Sequence, residues 1–317
     1  MSLTVVGSIA FDTVKTPFGR RERMLGGAAT HFALAASFFE NVNVVGPVGD
    51  DFTEAEMAVL RTRGTNVDDV ERVPGGRTFF WEGEYGWDLN SRETLETQLN
   101  VFEQFDPKLS EASKQCDLLF LANIQPELQL QVREQCPDAR FVALDSMNLW
   151  IDIARDALLE VIARVDCLIL NDAELRQLTG APNLVSAARE VLKWGPSVIV
   201  AKQGEYGAAL ITQDTFFALP AYPLQTVVDP TGAGDTFAGG FAGYIVRHGE
   251  HPPTSEVLRN AMAYGTALAS FNVEEFGTEG VLGLDAQAVR DRVQELQRFT
   301  RFDHVEIDLV TPSAQAN

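Results

Sequence analysis

The residues best suited to chemistry lie in the second half of the chain, where two glycines precede a carboxylate. The run reads Val228-Asp229-Pro230-Thr231-Gly232-Ala233-Gly234-Asp235-Thr236-Phe237. We expect a strand over residues 225–228, a turn, and a helix that begins at about Asp235. The amides of Gly232, Ala233 and Gly234 then project unpaired from a helix N-terminus, a geometry that favours anions. The spacing predicts an anion hole formed by main-chain amides.

The carboxylate at the edge of this anion hole is Asp235. Phosphoryl-transfer enzymes mainly position reactants and stabilise charge, and a carboxylate can accept the proton of an attacking hydroxyl. The structural alternative is that Asp235 only caps its helix, since Asp is a favoured N-cap residue, and that the glycines form a tight turn. An isolated Gly-x-Gly-Asp favours this alternative, whereas the long run over residues 228–241 favours a catalytic base.

The elements that must position these residues alternate along the chain. Short apolar runs at residues 4–6, 42–45, 118–121, 141–144, 167–170 and 197–200 are typical of strands buried on both faces. Amphipathic stretches predict helices at residues 28–39, 54–63, 151–164, 185–194, 235–247, 255–271 and 286–297. The pattern predicts a three-layer α/β fold with a mostly parallel, twisted sheet, whose ligands bind outside the carboxyl ends of the strands.

Two segments, at about residues 12–25 and 77–105, break this alternation. In the second, Phe79, Trp81 and Tyr85 fall on one face of a strand, and such a face must be covered. It can cap a substrate, pair with another subunit to form a homodimer, or pack on the main domain. Because the segment is too small to hold its own core, we interpret both segments as a small β lid on a single domain over residues 1–317.

Composition excludes several classes of protein. The 317 residues carry a net charge of −20, which argues against a nucleic-acid-binding protein because backbone neutralisation needs clustered Lys and Arg. The three cysteines do not indicate a disulfide framework or a zinc site. No apolar run approaches the roughly 20 residues of a membrane span, and the N-terminus has no secretory pattern. We expect a cytoplasmic protein without membrane or nucleic-acid partners.

Residues 229–237 resemble the C-terminal signature of the ribokinase-like (PfkB) carbohydrate kinase family. Further landmarks of that family follow in order: Gly26-Gly27 resembles its diglycine signature, residues 46–52 a Gly-x-Val-Gly-x-Asp turn, Asn171-x-x-Glu174 its Asn-x-x-Glu motif, and residues 202–207 its nucleotide-side turn. The resemblance implies a ribokinase-like fold and an ATP-dependent kinase. Its acceptor would be a hydroxyl of a small sugar, a sugar-like compound or a nucleoside.

The resemblance also implies roles for individual residues. Asp235 becomes the catalytic base and Gly232, Ala233 and Gly234 the anion hole. The residues implied on the nucleotide side are Asn171, Glu174, Lys202, Gly204, Gly207 and Thr231. Asn171 and Glu174 would organise Mg²⁺ and the phosphates mostly through water, which suits an ion that keeps most of its waters. Asn171-x-x-Glu174 also fits a capping box, and an activating monovalent cation stays open.

On the acceptor side, the resemblance implies contacts from Asp12, Gly26, Gly27 and His31. A carboxylate such as Asp12 can accept two hydroxyl hydrogen bonds, although it can also be a solvent-facing turn residue. Two departures from the ribokinase pattern put ribose in doubt, because this chain has Ala10 and His31 where that pattern has Asn. His31 is either a substrate contact or an ordinary helix histidine. Arg92 in the lid either contacts a charged acceptor or lies on the surface.

The sequence lacks the motifs that identify two other classes of nucleotide-binding enzyme. A dinucleotide-dependent dehydrogenase needs Gly-x-Gly-x-x-Gly after the first strand, and a P-loop enzyme needs Gly-Lys followed by Ser or Thr. Neither pattern is present in the sequence. The remaining alternative is a sensor, a kinase fold that binds a sugar or nucleoside without turning it over. The intact Asp235 and glycine run oppose that alternative, since a pure sensor needs no base.

Overall fold

A nine-stranded sheet forms the centre of the computed structural model, which describes residues 1–304. The strands of the molecule are β1 (Leu3–Val6), β2 (Ala10–Thr16), β3 (Gly19–Gly26), β4 (Val42–Val48), β5 (Val70–Arg72), β6 (Phe79–Tyr85), β7 (Arg92–Gln98), β8 (Leu118–Leu121), β9 (Phe141–Asp145), β10 (Cys167–Asn171), β11 (Val198–Lys202), β12 (Ala208–Ile211) and β13 (Phe216–Leu219). The central sheet has the order β13-β12-β11-β10-β9-β8-β1-β4-β5. The seven neighbouring strands β11, β10, β9, β8, β1, β4 and β5 are parallel, and β12 and β13 form an antiparallel edge. The predicted mostly parallel sheet is confirmed.

Helices cover both faces of this sheet, as the sequence predicts. They are α1 (Ala28–Ala36), α2 (Glu54–Leu60), α3 (Glu111–Lys114), α4 (Pro126–Gln135), α5 (Asn148–Ile153), α6 (Arg155–Ile162), α7 (Asp172–Thr179), α8 (Leu184–Val191), α9 (Ala233–His248), α10 (Ser255–Asn272), α11 (Glu279–Leu282) and α12 (Ala286–Thr300). Helices α1, α9 and α10 pack on one face, and α4, α6, α7 and α8 pack on the other. The result is a three-layer α/β fold.

Alternating side chains of the strands build the two cores. In β8, Leu118 and Phe120 enter one apolar cluster, while Leu119 and Leu121 enter the cluster on the opposite face. Phe120 stacks on Phe32 of α1 at a centroid distance of 4.2 Å. Because successive side chains of a strand point to opposite faces, a strand that is apolar at every position must be covered on both.

The two irregular segments form a second sheet of four strands in the order β3-β2-β6-β7. Strands β2 and β6 run parallel, and the outer pairs are antiparallel. Val14 and Tyr85 of this sheet pack against Phe276 and Val228, which belong to the rest of the chain. The small sheet therefore completes its apolar cluster on the main body, although its action as a lid within a single domain stays a prediction.

Two local expectations are wrong. Residues 225–228 are not a strand, because the amide of Val228 donates to the carbonyl of Val273 at the end of α10 at 2.7 Å instead of to a neighbouring strand. The helix expected over residues 151–164 is divided into α5 and α6 at Ala154, whose φ of −136° is not helical. Among the described residues, no helix combines the length and apolarity that crossing a membrane requires.

Candidate active site

Three polar side chains follow neighbouring parallel strands at one edge of the central sheet. Asp145 ends β9, Asn171 ends β10 and Lys202 ends β11. The register pairs Asn171 with Lys202, so these residues lie side by side. Because the carboxyl ends of parallel strands meet at a single edge, this is where ligands of open α/β sheets bind.

Lys202 and Asp145 form an ion pair, with 3.0 Å between Nζ and Oδ2. Burial opposes the charge of Lys202, but the carboxylates of Asp145 and Glu174 raise the pKa of the lysine overall. Asp145 is not among the site residues predicted from the sequence. A carboxylate directly after the apolar run at residues 141–144 was the signal that could have identified it.

The glycine run turns into α9 earlier than expected. Gly232 is the N-cap, with a left-handed φ of 74° and no side-chain cap, and α9 begins at Ala233. A Cβ at Gly232 would overlap the imidazole ring of His31, so both the backbone conformation and the space require glycine. Asp235 lies in the first turn and is not the N-cap. The alternative that Asp235 is the N-cap residue is therefore wrong, whereas the tight turn that it assumed at the glycines is present.

The amides of the run are not all free. The amide of Ala233 donates to the carbonyl of Pro230 at 3.2 Å, so the expectation of three unpaired amides is wrong for Ala233. The reason is the tight turn at Gly232, which brings these two groups together. Within residues 1–304, the amides of Gly232 and Gly234 have no hydrogen-bond acceptor. These two donors lie at the N-terminal end of α9, where the helix dipole favours an anion.

Buried side chains hold the run in place. Asp229 accepts hydrogen bonds from the amides of Thr231 at 2.9 Å and Gly277 at 3.1 Å. Asn272, at the end of α10, donates from Nδ2 to the carbonyl of Thr231 at 2.8 Å and accepts at Oδ1 from Thr236 at 3.0 Å. Nothing near Asn272 in the sequence signals this role, since its partners come from other elements.

The carboxylate of Asp235 has a strongly shifted pKa. Burial and the negative charge of Asp145 raise its pKa to about 7, although Lys202 lowers it. Within residues 1–304, its carboxylate makes no side-chain hydrogen bond to another residue. The amide of Asp235 itself also lowers this pKa. A carboxylate with a pKa near neutrality can accept a proton from a hydroxyl, so the role of general base stays a prediction.

Asp12 lies on β2 and is only 6% exposed. Burial first, and then the negative charge of Asp229, raise the pKa of Asp12 to about 7, while the amide of Gly27 lowers it. A Cβ at Gly26 would overlap the Asp12 carboxylate, so the diglycine leaves room for this group. The alternative of a solvent-facing Asp12 is wrong, whereas its contact with an acceptor stays a prediction.

His31 is 3% exposed and is held by Asn272, with 3.1 Å between Nδ1 and Oδ1. Because Nδ2 of Asn272 donates to Thr231, Oδ1 must accept, and Nδ1 of His31 therefore carries the proton. Burial lowers the pKa of His31 to about 4, so the ring is neutral. Its Nε2 is buried and has no partner among the described residues. His31 is thus not a fully satisfied helix histidine.

Asn171 and Glu174 form a capping box at the start of α7. The side chain of Asn171 accepts from the amide of Glu174 at 2.7 Å, and Glu174 accepts from the amide of Asn171 at 2.9 Å. Burial raises the pKa of Glu174, and Lys202 lowers it. No group of three or more metal ligands occurs among the described residues. Within residues 1–304, Oε1 of Glu174 accepts no hydrogen bond, whereas Asp145 accepts from the amide of Ser146 and from Lys202. One open carboxylate oxygen beside a second carboxylate suits a Mg²⁺ that keeps most of its waters.

A cavity of about 630 Å³ opens beside the strand ends. Among the predicted nucleotide residues, Lys202, Gly204 and Gly207 line it, as do Ala233 and Gly234. The segment 221–227 also lines it. In the described part of the chain, the lining includes none of the predicted acceptor residues, and of the predicted nucleotide residues it lacks Asn171, Glu174 and Thr231.

Arg92 is the first residue of β7, and its guanidinium lies 5.4 Å from the centroid of the Trp81 ring. The positive charge of Arg92 lowers the pKa of Asp12, Glu174 and Asp235. Within residues 1–304 it forms no ion pair. The small sheet therefore brings a cation near all three of these carboxylates.

The comparison with known proteins agrees with this geometry. The model of the pfkB family carbohydrate kinases matches residues 3–282. A cytidine kinase of Thermococcus kodakarensis is 31% identical over 252 residues, which are 77% of this chain and 88% of that protein. A deoxyribokinase of Salmonella typhi is 27% identical over 267 residues, 80% of this chain and 82% of that protein.

The fold is also found among solved structures. The crystal structure of the nucleoside kinase of Methanocaldococcus jannaschii, an archaeal member of the ribokinase family, has a TM-score of 0.76 at 21% identity. It covers 93% of this chain and 98% of its own. At this identity the likeness shows the fold, and the sequence matches show the family. The chain therefore belongs to the pfkB family of carbohydrate kinases and is a sugar or nucleoside kinase with the ribokinase fold.

Proposed function

We propose that this kinase transfers the γ-phosphoryl group of ATP to a hydroxyl of a nucleoside, with Asp235 as the general base. The observation that carries the proposal is the state of the Asp235 carboxylate. Its pKa is raised to about 7, and it lies in the first turn of α9 next to the free amides of Gly232 and Gly234. A base and an anion site in such proximity suit the transfer of a phosphoryl group to an alcohol.

Charge on the transferring group is stabilised by the N-terminal end of α9. The amides of Gly232 and Gly234 and the helix dipole point to this position before the reaction starts, so little reorganisation is needed. Lys202 adds a positive charge close by, because a Cβ at Gly234 would lie 3.1 Å from its Nζ. The ion pair with Asp145 fixes the direction of that lysine.

Mg²⁺ would be held by Glu174 and Asp145, mostly through water. Bound there, the ion supplies positive charge to the phosphates of ATP. The residues around it have separate tasks: Asn171 fixes the backbone orientation of Glu174 through the capping box, and Lys202 balances the negative charge of both carboxylates.

The acceptor is inferred from the groups on the other side of Gly232. Asp12 in its ionised form and Nε2 of His31 are hydrogen-bond acceptors only, so they suit hydroxyl donors. The T. kodakarensis relative is named a cytidine kinase and matches this chain over 88% of its own length. The Salmonella relative is named a deoxyribokinase, which makes a small sugar the second candidate.

A panel of acceptors tests the proposal directly. ADP release would be measured at fixed Mg-ATP with cytidine, other nucleosides, ribose, deoxyribose and fructose. We expect one or more nucleosides to stimulate release most. If only sugars stimulate it, the nucleoside assignment is wrong. If no acceptor stimulates it while several raise the melting temperature, the protein binds its ligand without catalysis.

The substitution Asp235→Asn tests the base. It should lower kcat by roughly 10²–10⁴-fold, the usual worth of a general base, and leave the affinity for ATP nearly unchanged because the amides remain. Asp156→Asn is the matched control, since Asp156 also lies in the first turn of a helix but is exposed. An equal loss of nucleotide affinity in Asp235→Asn would mean that Asp235 is not the base.

A further inference from the structure

The turn that joins β6 to β7 in the small sheet extends to the cavity that is lined by Lys202, Gly204 and Gly207, three of the predicted nucleotide residues. This β6–β7 turn comprises residues 86–91. Trp87, Asp88, Leu89 and Asn90 all line the cavity, together with Lys202 and the segment 204–207. A part of the predicted acceptor lid therefore forms a wall on the opposite, nucleotide side.

The β6–β7 turn is rigid by its own hydrogen bonds. The carboxylate of Asp88 accepts from the amides of Asn90 at 3.2 Å and Ser91 at 3.0 Å, and from the Ser91 hydroxyl at 2.9 Å. The amide of Gly86 donates to the carbonyl of Ser91 at 2.9 Å. Leu89 adopts a left-handed φ of 55°, which an ordinary residue adopts only where its surroundings enforce it.

The turn also makes two contacts with other parts of the chain. The side chain of Leu89 packs in the cluster of Val14, Tyr85 and Phe276. Nδ2 of Asn90 donates to Oε1 of Glu205 at 3.2 Å, which links the turn to the segment 204–207. These contacts leave the turn little freedom to move away from the cavity while the small sheet stays in place.

Trp87 is 87% exposed on this rigid turn, and the neighbouring Phe18 in the turn between β2 and β3 is 54% exposed. The other tryptophans, Trp81, Trp150 and Trp194, are all partly buried. A large exposed aromatic side chain that is held next to a cavity by a preorganised backbone is typical of a ligand contact.

We propose that Trp87 contacts the nucleoside part of ATP and that the β6–β7 turn is a wall of the nucleotide site. The inference rests on the proposed function, because Gly234 and Lys202, which that function places at the phosphates of ATP, both line this cavity. Aromatic rings bind the flat faces of bases, whereas phosphates bind amides and cations. In the lining of the cavity, Gly234 and Lys202 supply an amide and a cation for the phosphates, and the indole of Trp87 offers an exposed aromatic face to the base or ribose.

Calorimetric titration of the full chain with a non-hydrolysable ATP analogue and, separately, with inorganic tripolyphosphate tests this contact. We expect Trp87→Ala to lower the affinity for the analogue about 10-fold, within the range of one aromatic contact with a base. The affinity for tripolyphosphate should fall less than about twofold. Trp87→Phe, which keeps an aromatic face, should retain most of the affinity. Phe216→Ala removes an exposed aromatic side chain outside the cavity and should change neither value.

The outcomes separate this inference from the proposed function. If the wild-type protein binds the analogue and Trp87→Ala binds it equally well, or if both ligands weaken equally, Trp87 makes no nucleoside contact. A Trp87→Ala protein that changes from dimer to monomer with unchanged affinity would place a second copy of the chain on Trp87, which also overturns the inference. If the wild-type protein binds no analogue, the proposed function itself is wrong.

Fluorescence gives an independent measurement. Trp87 is the most exposed tryptophan. If a bound nucleotide shields its indole from water, the fluorescence emission maximum of the wild-type protein should shift to shorter wavelength. The shift should disappear in Trp87→Phe although this variant still binds. A shift of the same size in Trp87→Phe would assign the signal to another tryptophan and contradict the contact.

Discussion

At the scale of single residues, the site places several carboxylates around one lysine. Asp145, Glu174 and Asp235 all influence Lys202, which pairs directly with Asp145. The lysine therefore neutralises only part of the negative charge, and Asp235 keeps a pKa of about 7. An acidic group with this pKa is partly ionised at neutral pH, as proton transfer in both directions requires.

The pH dependence of kcat should report Asp235. Because the base acts when ionised, kcat at saturating substrates should rise with pH through about 7. Asp145→Asn removes a charge that raises the pKa of Asp235, so the rise should move to lower pH. Lys202→Met removes a charge that lowers it, so the rise should move to higher pH.

Asp12 provides the control for this profile, because its pKa is also about 7. Asp12→Asn should weaken the acceptor but keep the rise in kcat. The titration would belong to Asp12 if kcat no longer rose with pH in Asp12→Asn. In that case the rise of kcat in Asp145→Asn would stay at its original pH.

Stability should change with pH for the same reason. The pKa of Asp235 is about 7 in the folded protein against an ordinary value of 3.8, so the folded state binds this proton more tightly than the unfolded state does. Protonated Asp235 therefore contributes to the free energy of unfolding below about pH 4, and this contribution is lost as pH rises to about 7. Asp235→Asn should stabilise the ligand-free protein on the order of 1–3 kcal/mol at pH 8 and less at pH 5. Denaturant unfolding at both pH values checks this, and equal effects at both would contradict it.

At the scale of elements, the glycine run depends on three helices. Helix α9 begins at Ala233, directly after its N-cap Gly232. The ring of His31 on α1 lies where a Cβ on Gly232 would be, and Asn272 at the end of α10 hydrogen-bonds both His31 and the carbonyl of Thr231. The anion site is therefore a junction of elements, and a change in packing at any of them alters its amides.

Gly232→Ala should disturb this junction. The added Cβ meets both a left-handed φ of 74° and the ring of His31, so we expect a loss of about 2–4 kcal/mol of stability and of nearly all activity. Gly180→Ala is the matched control, with φ of 69° at the end of α7 and no atom near the added Cβ. It should cost only about 1 kcal/mol and keep activity. Equal costs in thermal unfolding would show that His31 tolerates the new group.

At the scale of the whole molecule, the small sheet connects the two halves of the site. Tyr85 contacts the hydroxyl of Thr231 at 3.2 Å, Arg92 lies near Asp12 and Asp235, and Asn90 binds Glu205. We propose that closure of this sheet excludes water from the transferring phosphoryl group and depends on both substrates.

Trp81→Ala should loosen this closure. The ring of Trp81 lies across Gly83, contacts the cluster of Val14 and Tyr85, and donates to Thr94 at 3.3 Å. We expect a several-fold higher KM for the acceptor and faster ATP hydrolysis without acceptor. Leu95→Ala, an exposed change on β7, is the control. If neither quantity changes in Trp81→Ala, the ring serves only to pack the sheet.

Much of the fold could be read from the sequence because it depends on local patterns. The apolar runs at residues 118–121 and 167–170 are buried on both faces, as their lack of alternation predicts. The glycine run identified the start of α9 within two residues, since glycine readily adopts the left-handed φ of 74° that the N-cap Gly232 has. The irregular segments 12–25 and 77–105 were located by the absence of such patterns.

The sequence by itself thus determined the layers, the edge of the sheet that binds ligands, and Asp235 as the candidate base. Only the tertiary structure decided the state of the groups around it: the tautomer of His31, fixed by Asn272 at a separation of 241 residues, the pairing of Lys202 with Asp145, and the link from Asn90 to Glu205. The physical reason is that strands and turns follow from neighbouring residues, whereas hydrogen bonds and pKa values in a buried site depend on distances of a few ångströms between elements. Those distances are set by packing of the whole chain, which no local pattern encodes.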